Sequence, residues 1–401
     1  MANGIATLTP YLSELTTPCY VYDLNEILTR IALLKKNLPD NVKLYYSIKA
    51  NSNLHLLKAL RDKLDGLDIS SGGELEQSVL AGYAPQNFSF AGPGKTEEEI
   101  ELAIKSGCGS LNAESFDDLT RIDAVAQKLG KTAFVALRIS PQTAGKHFVL
   151  SMGGQPTQFG FDEEDLNTLP ALKHTQIIGL HIYSGSGSLN AAGLKETFEN
   201  TFALADKLSK KLKINLQLLN IGGGFGIDYF AEQQPLDTAV IYTALHQKAA
   251  QYPDLKIILE LGRYLTAPAG YYLCRVLNIK QSRGKTFVIV DGGLHHNQRV
   301  AGNSNQGNIR NYKITNLTNP ESEKLKVELA GCLCTSLDIL AVDLELSQPQ
   351  IGDILCIHNS GAYGYTASHL LFLGHPTPPE YLLENGELKL IRTSKRLLEF
   401  N

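Results

Sequence analysis

The run VKLYYSIKA at residues 42–50 has the length and apolar character of a buried strand, and it ends near a lysine, Lys49. Seven similar runs follow, separated by stretches long enough for one helix each. They are LDGLDISS (64–71), FSFAGP (88–93), SLNAES (110–115), AFVALRIS (133–140), IIGLHIYSG (177–185), LQLLNIGGG (216–224) and KIILELGR (256–263). A repeated order of strand and helix predicts a parallel sheet, and eight such units close a (β/α)8 barrel. The predicted fold class is therefore α/β.

Most of these runs end in a residue that can take part in chemistry. In a (β/α)8 barrel the carboxyl ends of the strands share one rim, so such residues surround a single cavity. The residues predicted to meet there are Lys49, Arg138, His181, Gly222, Gly223, Gly224 and Glu260. This convergence favours an enzyme.

The pattern changes after Arg263 to short strand-like runs divided by turn residues, such as KTFVIVDGG (285–293) and DILCIHNSG (353–361). This is typical of an antiparallel β domain. An early run, TPCYVYDLN (17–25), precedes the barrel strands and is expected to pair with this later part. We therefore predict a barrel domain over residues 27–265 and a mainly antiparallel β domain built from 1–26 and 266–401.

Composition restricts the class of protein. A chain of 401 residues with 43% hydrophobic content has room for a barrel and a second domain. A formal net charge of −4 without a long basic block argues against nucleic acid as a partner. The apolar runs are strand-sized, no secretory signal is evident, and the six cysteines are scattered. We expect a cytoplasmic protein with reduced thiols, no membrane partner and a small-molecule substrate.

Two features of the rim could bind an aldehyde and an anion. Lys49 lies among apolar residues, where burial disfavours the ammonium, so its amine could attack an aldehyde; a plain solvated lysine is the alternative. The glycines of GGGFG (222–226) let backbone N–H groups approach an anion, and Ser184 could add a hydroxyl. A tight turn and an ordinary polar loop would explain the same residues.

Two further residues could recognise an aromatic ring. Glu260 ends an apolar strand and needs a partner, which is either Arg263 in a salt bridge or a protonated ring nitrogen. His181 is flat and could stack on a ring, or it is a structural histidine. An aldehyde, a phosphate, a flat ring and a pyridinium nitrogen occur together in pyridoxal 5′-phosphate.

The chain resembles the fold-type III pyridoxal-phosphate decarboxylases, which include diaminopimelate and ornithine decarboxylases and have an alanine racemase-like barrel. The resemblance covers nearly the whole length and rests on YYSIKAN, LDISSGGEL, LRISP, QFGF, HIYSGS, GGGFG, ELGR, CLCTSLD and GAYGYT in the family's order. It implies that Lys49 binds the cofactor covalently, His181 stacks on its ring and Glu260 pairs with the pyridine nitrogen. Implied phosphate contacts and neighbours of the cofactor are Ser184, Gly223, Gly224, Gly262, Arg263, Tyr363, Asp68 and Arg138.

The resemblance also implies a homodimer with shared active sites. Cys334 of CLCTSLD would then come from the neighbouring subunit and protonate the carbanion that remains after carbon dioxide leaves. Without the motif, Cys332 and Cys334 would be interpreted as two reduced thiols. A metal site is not predicted, because no further ligand spacing accompanies the C-x-C pair.

One departure from the family bears on the substrate. Thr335 follows Cys334 where these decarboxylases carry an acid for the distal ammonium of the substrate, and a hydroxyl cannot replace that charge-assisted bond. The sequence is more similar to a siderophore and secondary-metabolite subgroup that acts on conjugated amino acids, such as citryl-diaminopropionate. Candidate substrate contacts are Arg263, Thr335, His295, His296 and Arg299. Alternatives are a diaminopimelate-type decarboxylase, a decarboxylase of carrier-bound glutamate, an amino-acid racemase and a non-catalytic cofactor carrier.

Overall fold

The computed structural model of the chain describes residues 3–143, 145, 147–302 and 310–401. All eight predicted runs form strands of one closed parallel sheet. In chain order, the first to eighth barrel strands are Val42–Ser47, Gly66–Ile69, Phe88–Phe90, Ser110–Ala113, Ala133–Ser140, Thr175–Ile182, Leu218–Asn220 and Lys256–Leu261. The sheet closes because the eighth strand pairs with the first and the fourth with the fifth. The predicted barrel is confirmed.

Helices follow most of the barrel strands. These helices are Leu54–Leu60, Gly72–Leu80, Glu97–Ser106, Phe116–Leu129, Ala191–Leu212, Thr238–Ala249 and Arg263–Thr266. One more helix, Leu24–Asn37, precedes the first barrel strand. The helix Glu97–Ser106 begins at a capping box, in which Thr96 accepts from the Glu99 N–H and Glu99 accepts from the Thr96 N–H. The helix Phe116–Leu129 ends at Gly130, whose φ of 59° is left-handed. Both helices lie in stretches between strand-like runs that are each long enough for one helix.

The connection between the fifth and sixth strands differs from the expected strand-and-helix unit. Within its described residues it contains two short strands, Leu150–Ser151 and Phe161–Asp162, and no helix. Gly154 and Gly160 have φ values of 72° and 74°, and Pro141 and Pro156 lie in the same stretch. Left-handed glycines and prolines interrupt helical hydrogen bonding, so length alone was a poor guide here.

A hydrophobic layer supports the rim of the barrel from below. Tyr45, Ala136, Leu218 and Ile258 form a buried cluster. Side chains alternate along a strand, so Ile258 shares a face with Glu260, two residues further on. The polar groups of the rim therefore lie above an apolar floor.

The second group of strands forms a mainly antiparallel sheet. Its strands are Cys19–Asp23, Gly270–Ser282, Lys285–Val290, Ile314–Asn316, Lys324–Ala330, Ile339–Ser347, Ile354–Ile357, Glu380–Glu384 and Glu387–Arg392. Cys19–Asp23 lies between Gly270–Ser282, to which it is antiparallel, and Glu380–Glu384, to which it is parallel. The early run thus pairs with the later part of the chain, as expected. Two short helices, Asn3–Leu8 and Gln298–Gly302, belong to the same part of the chain.

Contacts between residues divide the chain into two compact units. One comprises Met1–Arg30, Asp228–Gln233 and Leu265–Asn401; the other comprises Ile31–Ile227 and Gln234–Tyr264. We call them the β unit and the barrel unit. The predicted domain boundaries stay a prediction. In the part of the chain that the structure describes, no helix has both the length and the apolar character needed to cross a bilayer.

Candidate active site at the barrel rim

Lys49 lies in a short 3-10 turn, Ile48–Ala50, directly after the first barrel strand. Its Nζ is 2.8 Å from Oδ2 of Asp68, the last residue but one of the second strand. Asp68 is buried, whereas 48% of the Lys49 side chain is exposed. Burial raises the pKa of Asp68, the nearby Glu260 raises it further, and Lys49 opposes that shift. The lysine amine is thus fixed by a carboxylate and still accessible from the rim.

Glu260 is the centre of a buried hydrogen-bond network. Its Oε1 accepts from the Asn220 side-chain amide and, at 3.3 Å, from the Ser89 hydroxyl. Its Oε2 lies 3.5 Å from Nε2 of His181. Burial alone would raise the pKa of this carboxyl, but the contacts with His181, Lys49 and Asn220 lower the pKa well below its usual range. The carboxylate is therefore ionised at neutral pH.

Asn112 extends this network across the barrel. Its Nδ2 donates to Oγ of Ser89 at 2.9 Å and lies 3.1 Å from Nδ1 of His181. The imidazole of His181 is consequently positioned from both sides, by Asn112 and by Glu260. The residues of this network come from five different strands, so only the closed barrel brings them together.

Arg138 lies near the end of the fifth strand, two residues before Ser140, and pairs with a second buried carboxylate. Its Nη1 donates to Oε1 of Glu114 at 2.9 Å, and its guanidinium lies 4.6 Å from the centre of the Phe159 ring. Glu114 also accepts from the backbone N–H of Gly92 at 2.7 Å and of Gly160 at 3.2 Å. The same carboxylate thus ties three loops of the rim to the arginine.

The glycine turn after the seventh strand has no room for side chains. Gly222 and Gly224 have φ values of 63° and 83°. A Cβ on Gly223 would lie 1.9 Å from the carbonyl oxygen of Glu260. Asn220 shapes the turn, because its Oδ1 accepts from the Gly222 N–H at 2.9 Å. A turn of this kind exposes backbone N–H groups to an anion.

The remaining barrel candidates lie on neighbouring rim loops. Ser184 follows the sixth strand and is buried, and its carbonyl accepts from the Met152 N–H at 2.9 Å. Gly262 follows the eighth strand, where a Cβ would lie 2.9 Å from Ala50. Arg263 begins the helix Arg263–Thr266. The barrel unit therefore contains every barrel residue predicted from the sequence, each in the last residues of a barrel strand or directly after it.

The other candidates belong to the β unit. Tyr363 has a φ of 56°, a left-handed conformation that is strained for an aromatic residue and is typical of functional positions. The guanidinium of Arg299 lies 5.9 Å from the centre of the Tyr363 ring and 4.2 Å from that of Tyr229. Cys334 is exposed, and Thr335 follows it in the same turn.

His295 and His296 are buried, with exposed fractions of 0% and 1%. Burial, with the neighbouring His375, lowers the pKa of His295 to about 4, and burial with His295 lowers the pKa of His296 to about 3. Both rings are thus neutral at pH 7, and Arg299 carries the positive charge of this segment. The predicted contact of the two histidines with substrate stays a prediction, and their burial argues against it.

Four residues of the rim network, Ser89, Asn112, Glu114 and Asn220, were not predicted from the sequence. The available signal was a polar residue at or near the end of an otherwise apolar run, as in FSF, SLNAE and LLN. Oδ1 of Asn112 is buried without a hydrogen-bond partner among the described residues, and buried Nε2 of His181 has only the 3.5 Å contact with Glu260. Such atoms cost free energy unless a ligand or water satisfies them.

Comparison with known proteins identifies the family. Residues 24–267 match the family model described as "Pyridoxal-dependent decarboxylase, pyridoxal binding domain". This chain belongs to the pyridoxal-dependent decarboxylases. The family expected from the motifs is thereby confirmed, together with its cofactor, pyridoxal phosphate. The glycine turn, the accessible lysine and the ionised Glu260 fit that cofactor's phosphate, aldehyde and ring nitrogen.

Individual relatives of this decarboxylase span several substrates. An L-glutamyl-BtrI acyl-carrier protein decarboxylase of Niallia circulans is 37% identical over 96% of this chain and 93% of its own. A decarboxylase of Staphylococcus aureus, named for an L-alanin-3-ylcarbamoyl derivative of hydroxybutanedioate, is 30% identical over 90% and 92%. Diaminopimelate decarboxylase of Helicobacter pylori, solved with L-lysine, is 30% identical over 97% of both chains, with a TM-score of 0.87.

Proposed function

We propose that this pyridoxal-dependent decarboxylase removes the α-carboxylate from an amino acid whose distal end is conjugated, such as a citryl-diaminopropionate-like molecule. The observation that carries the proposal is the uncharged surface beside Thr335. A free diamino acid presents a distal ammonium, and burial of that ammonium requires a carboxylate partner. A conjugated substrate has no such charge to pair.

A depression of about 590 Å³ opens beside Thr335 in the β unit. It is lined by Leu294, Thr335, Leu337, His369 and the run 370–372, Leu-Leu-Phe. None of these described lining residues is acidic. The Thr335 hydroxyl accepts weakly from the Leu337 N–H at 3.4 Å. An apolar lining with a few polar atoms suits an acyl or amide-linked group better than an ammonium.

The relatives support a conjugated substrate without naming it. Two of them carry names that specify a conjugated amino acid, one on a carrier protein and one joined to hydroxybutanedioate. Others are diaminopimelate decarboxylases at 30 to 34% identity. Overall similarity therefore does not separate the two classes, and the proposal depends on Thr335, which stands where the resemblance implies an acid in decarboxylases of free diamino acids.

The barrel residues would hold the reactants. Bound pyridoxal phosphate supplies an electron sink for the electron pair left behind when carbon dioxide departs. Lys49 would hold the aldehyde carbon covalently, and Glu260 would keep a proton on the ring nitrogen. His181 would lie against the ring, and Arg138 and Asp68 would lie near it. Phosphate contacts would come from Ser184, Gly223, Gly224, Gly262, Arg263 and Tyr363.

We assign the returning proton to the thiol of Cys334. Its hydrogen would pass to the α-carbon of the substrate after carbon dioxide has left, and solvent would restore it. This role assumes a homodimer in which Cys334 comes from the neighbouring subunit, with Arg299 and Arg263 as further substrate contacts. The exposure of Cys334 agrees with such a role, since the other cysteines are buried or half-buried. We also propose that the enzyme acts in the cytoplasm.

The alternatives predict different products. A diaminopimelate-type enzyme would prefer a free diamino acid, and a racemase would return the substrate with its carboxylate and inverted chirality. A non-catalytic carrier would release no carbon dioxide. A carrier-bound glutamate would be a substrate within the conjugated class. Released carbon dioxide and product chirality separate a decarboxylase from a racemase and from a non-catalytic carrier, and a comparison of substrates separates the decarboxylases from one another.

The test is a substrate panel for the purified holoenzyme, with free diaminopimelate, a citryl-diaminopropionate conjugate and a glutamyl carrier-protein thioester. We expect kcat/KM for a conjugated substrate to exceed that for diaminopimelate by at least about tenfold, the effect of about 1.4 kcal/mol. Thr335→Glu should reverse the preference, whereas Ser336→Glu, which adds the same charge one residue further on, should not. A wild-type preference for free diaminopimelate would refute the proposal.

A further inference from the structure

We propose that His295, Cys332 and His375 of the β unit form a binding site for a divalent transition metal, with Zn²⁺ as the favoured ion. One ligand atom from each side chain lies within 4.8 Å of the other two. The sequence does not predict this site, because the three residues lie far apart in the chain and only the fold brings them together. None of them belongs to the barrel rim.

The state of His295 points to a ligand. Its side chain is fully buried, and neither Nδ1 nor Nε2 has a hydrogen-bond partner in the part of the chain that the structure describes. An imidazole with both nitrogens unsatisfied is costly to bury. A metal ion bound to one of the nitrogens would remove part of that cost. The centre of the His295 ring lies 5.0 Å from the centre of the His375 ring.

One carboxylate holds the segments of His295 and Cys332 together. Asp338 accepts from the Leu294 N–H through Oδ1 at 2.6 Å and from the Leu333 N–H through Oδ2 at 2.8 Å. These two N–H groups are the immediate neighbours of the two proposed ligands. The backbone positions of His295 and Cys332 are therefore fixed relative to each other before any ion binds.

The segment of His375 is tied to the same place. Nε2 of His296 lies 2.9 Å from the carbonyl oxygen of Pro376, so the neighbours of His295 and His375 are joined by a hydrogen bond. The backbone N–H of Cys332 also donates to the carbonyl of Gly292 at 3.2 Å. All three ligand-bearing segments are thus connected, which is the support that a preformed metal site needs.

The donor set selects the ion. One thiolate and two imidazoles suit Zn²⁺, with a Zn–S distance of about 2.3 Å and Zn–N distances of about 2.0–2.1 Å. On binding, the Cys332 thiol, which now donates to the Asp291 carbonyl at 3.3 Å, releases its proton to solvent. Binding therefore requires the three side chains to rotate until their donor atoms reach these distances. The fourth tetrahedral position is left for water or another ligand.

The test uses the tag-free holoenzyme, freed of metal by a mild chelator and titrated with zinc sulfate. We expect one zinc ion per chain to survive gel filtration and X-ray absorption to show one sulfur and two histidine nitrogens. Zinc should also raise the Tm of the wild type. Neither Cys332→Ser nor His295→Ala should retain stoichiometric zinc or show the Tm increase.

Two control variants separate this site from other thiols, histidines and the cofactor. Cys334→Ser and His369→Ala remove an exposed thiol and an exposed histidine nearby, and both should bind zinc as the wild type does. Absence of retained zinc in the wild type, or a zinc shell without sulfur, would overturn the proposal. So would unchanged zinc binding by Cys332→Ser or His295→Ala. The wild-type measurements decide the matter even if a variant fails to fold.

Discussion

Glu260 is a buried carboxylate that contacts several polar side chains of the barrel rim. It is 8% exposed, yet its contacts with His181, Lys49 and Asn220 keep it ionised. A carboxylate in that state can hold a proton on a pyridine nitrogen, whereas a neutral amide cannot. The apolar floor beneath it strengthens the interaction by excluding water.

Glu260→Gln separates charge from shape at this position. We expect the variant to fold and retain the cofactor but to lose about 10²-fold or more in kcat, because the ring nitrogen loses its anionic partner. Steady-state release of carbon dioxide, with cofactor content measured by absorbance, checks this. Ser89→Ala is the matched control, since it removes a neutral partner of the same oxygen and should cost much less. A kcat close to wild type in Glu260→Gln would contradict the assigned role.

The glycine turn 222–224 is the element with the least tolerance for change. A methyl group on Gly223 would collide with the Glu260 backbone, so the turn must move away from the eighth strand. We expect Gly223→Ala to weaken cofactor binding by at least about tenfold, through displacement of the N–H groups that we propose to face the phosphate. Equilibrium dialysis against pyridoxal phosphate measures the loss.

Gly94→Ala is the control for that experiment. Gly94 is exposed, and a Cβ there would meet nothing within 4 Å. It should bind the cofactor as the wild type does. Equal affinities of the Gly223→Ala and Gly94→Ala variants would show that the turn does not contact the phosphate.

The barrel strands could be predicted because parallel strands are buried on both faces and read as continuous apolar runs. All eight runs became strands. The connection after the fifth strand could not be predicted from its length, since Gly154 and Gly160 take left-handed conformations there. The distance between two runs in the sequence gives the length of the connection, whereas the glycines and prolines within the connection determine whether it forms a helix.

The site was only partly predictable for a related reason. Lys49, His181 and Glu260 stand at strand ends, where the fold class itself places them on one rim. Ser89 and Asn112 are small polar residues within short runs, and their partners depend on closure of the whole barrel. The cluster of His295, Cys332 and His375 carries no local sequence signal, because it joins three distant segments.

At the scale of the whole molecule, we propose that two chains complete one active site. Lys49 and Cys334 are assigned to the same reaction but to different subunits. If so, a dimer of one Lys49→Ala chain and one Cys334→Ser chain has one intact site and one doubly defective site. Random pairing of the two inactive variants should therefore restore about a quarter of the wild-type activity.

Co-expression of the two variants, with decarboxylation measured on the mixture, checks this expectation. In the control, two differently tagged chains that carry the same substitution are co-expressed, and this mixture should stay inactive. Failure of the mixture to regain activity, although tagged chains co-purify, would contradict a shared site. The variants differ only at the two assigned residues, so recovery has no other source than the hybrid dimer.

The covalent attachment of the cofactor to Lys49 is the claim on which the assigned roles of the other rim residues depend. Borohydride reduction of the native holoenzyme, followed by digestion and mass spectrometry, tests it directly. We predict a pyridoxyl-phosphate adduct on the peptide that contains Lys49, and its absence from a Lys49→Ala variant treated in the same way. An unmodified Lys49, or an adduct confined to another lysine such as Lys95, would contradict the account.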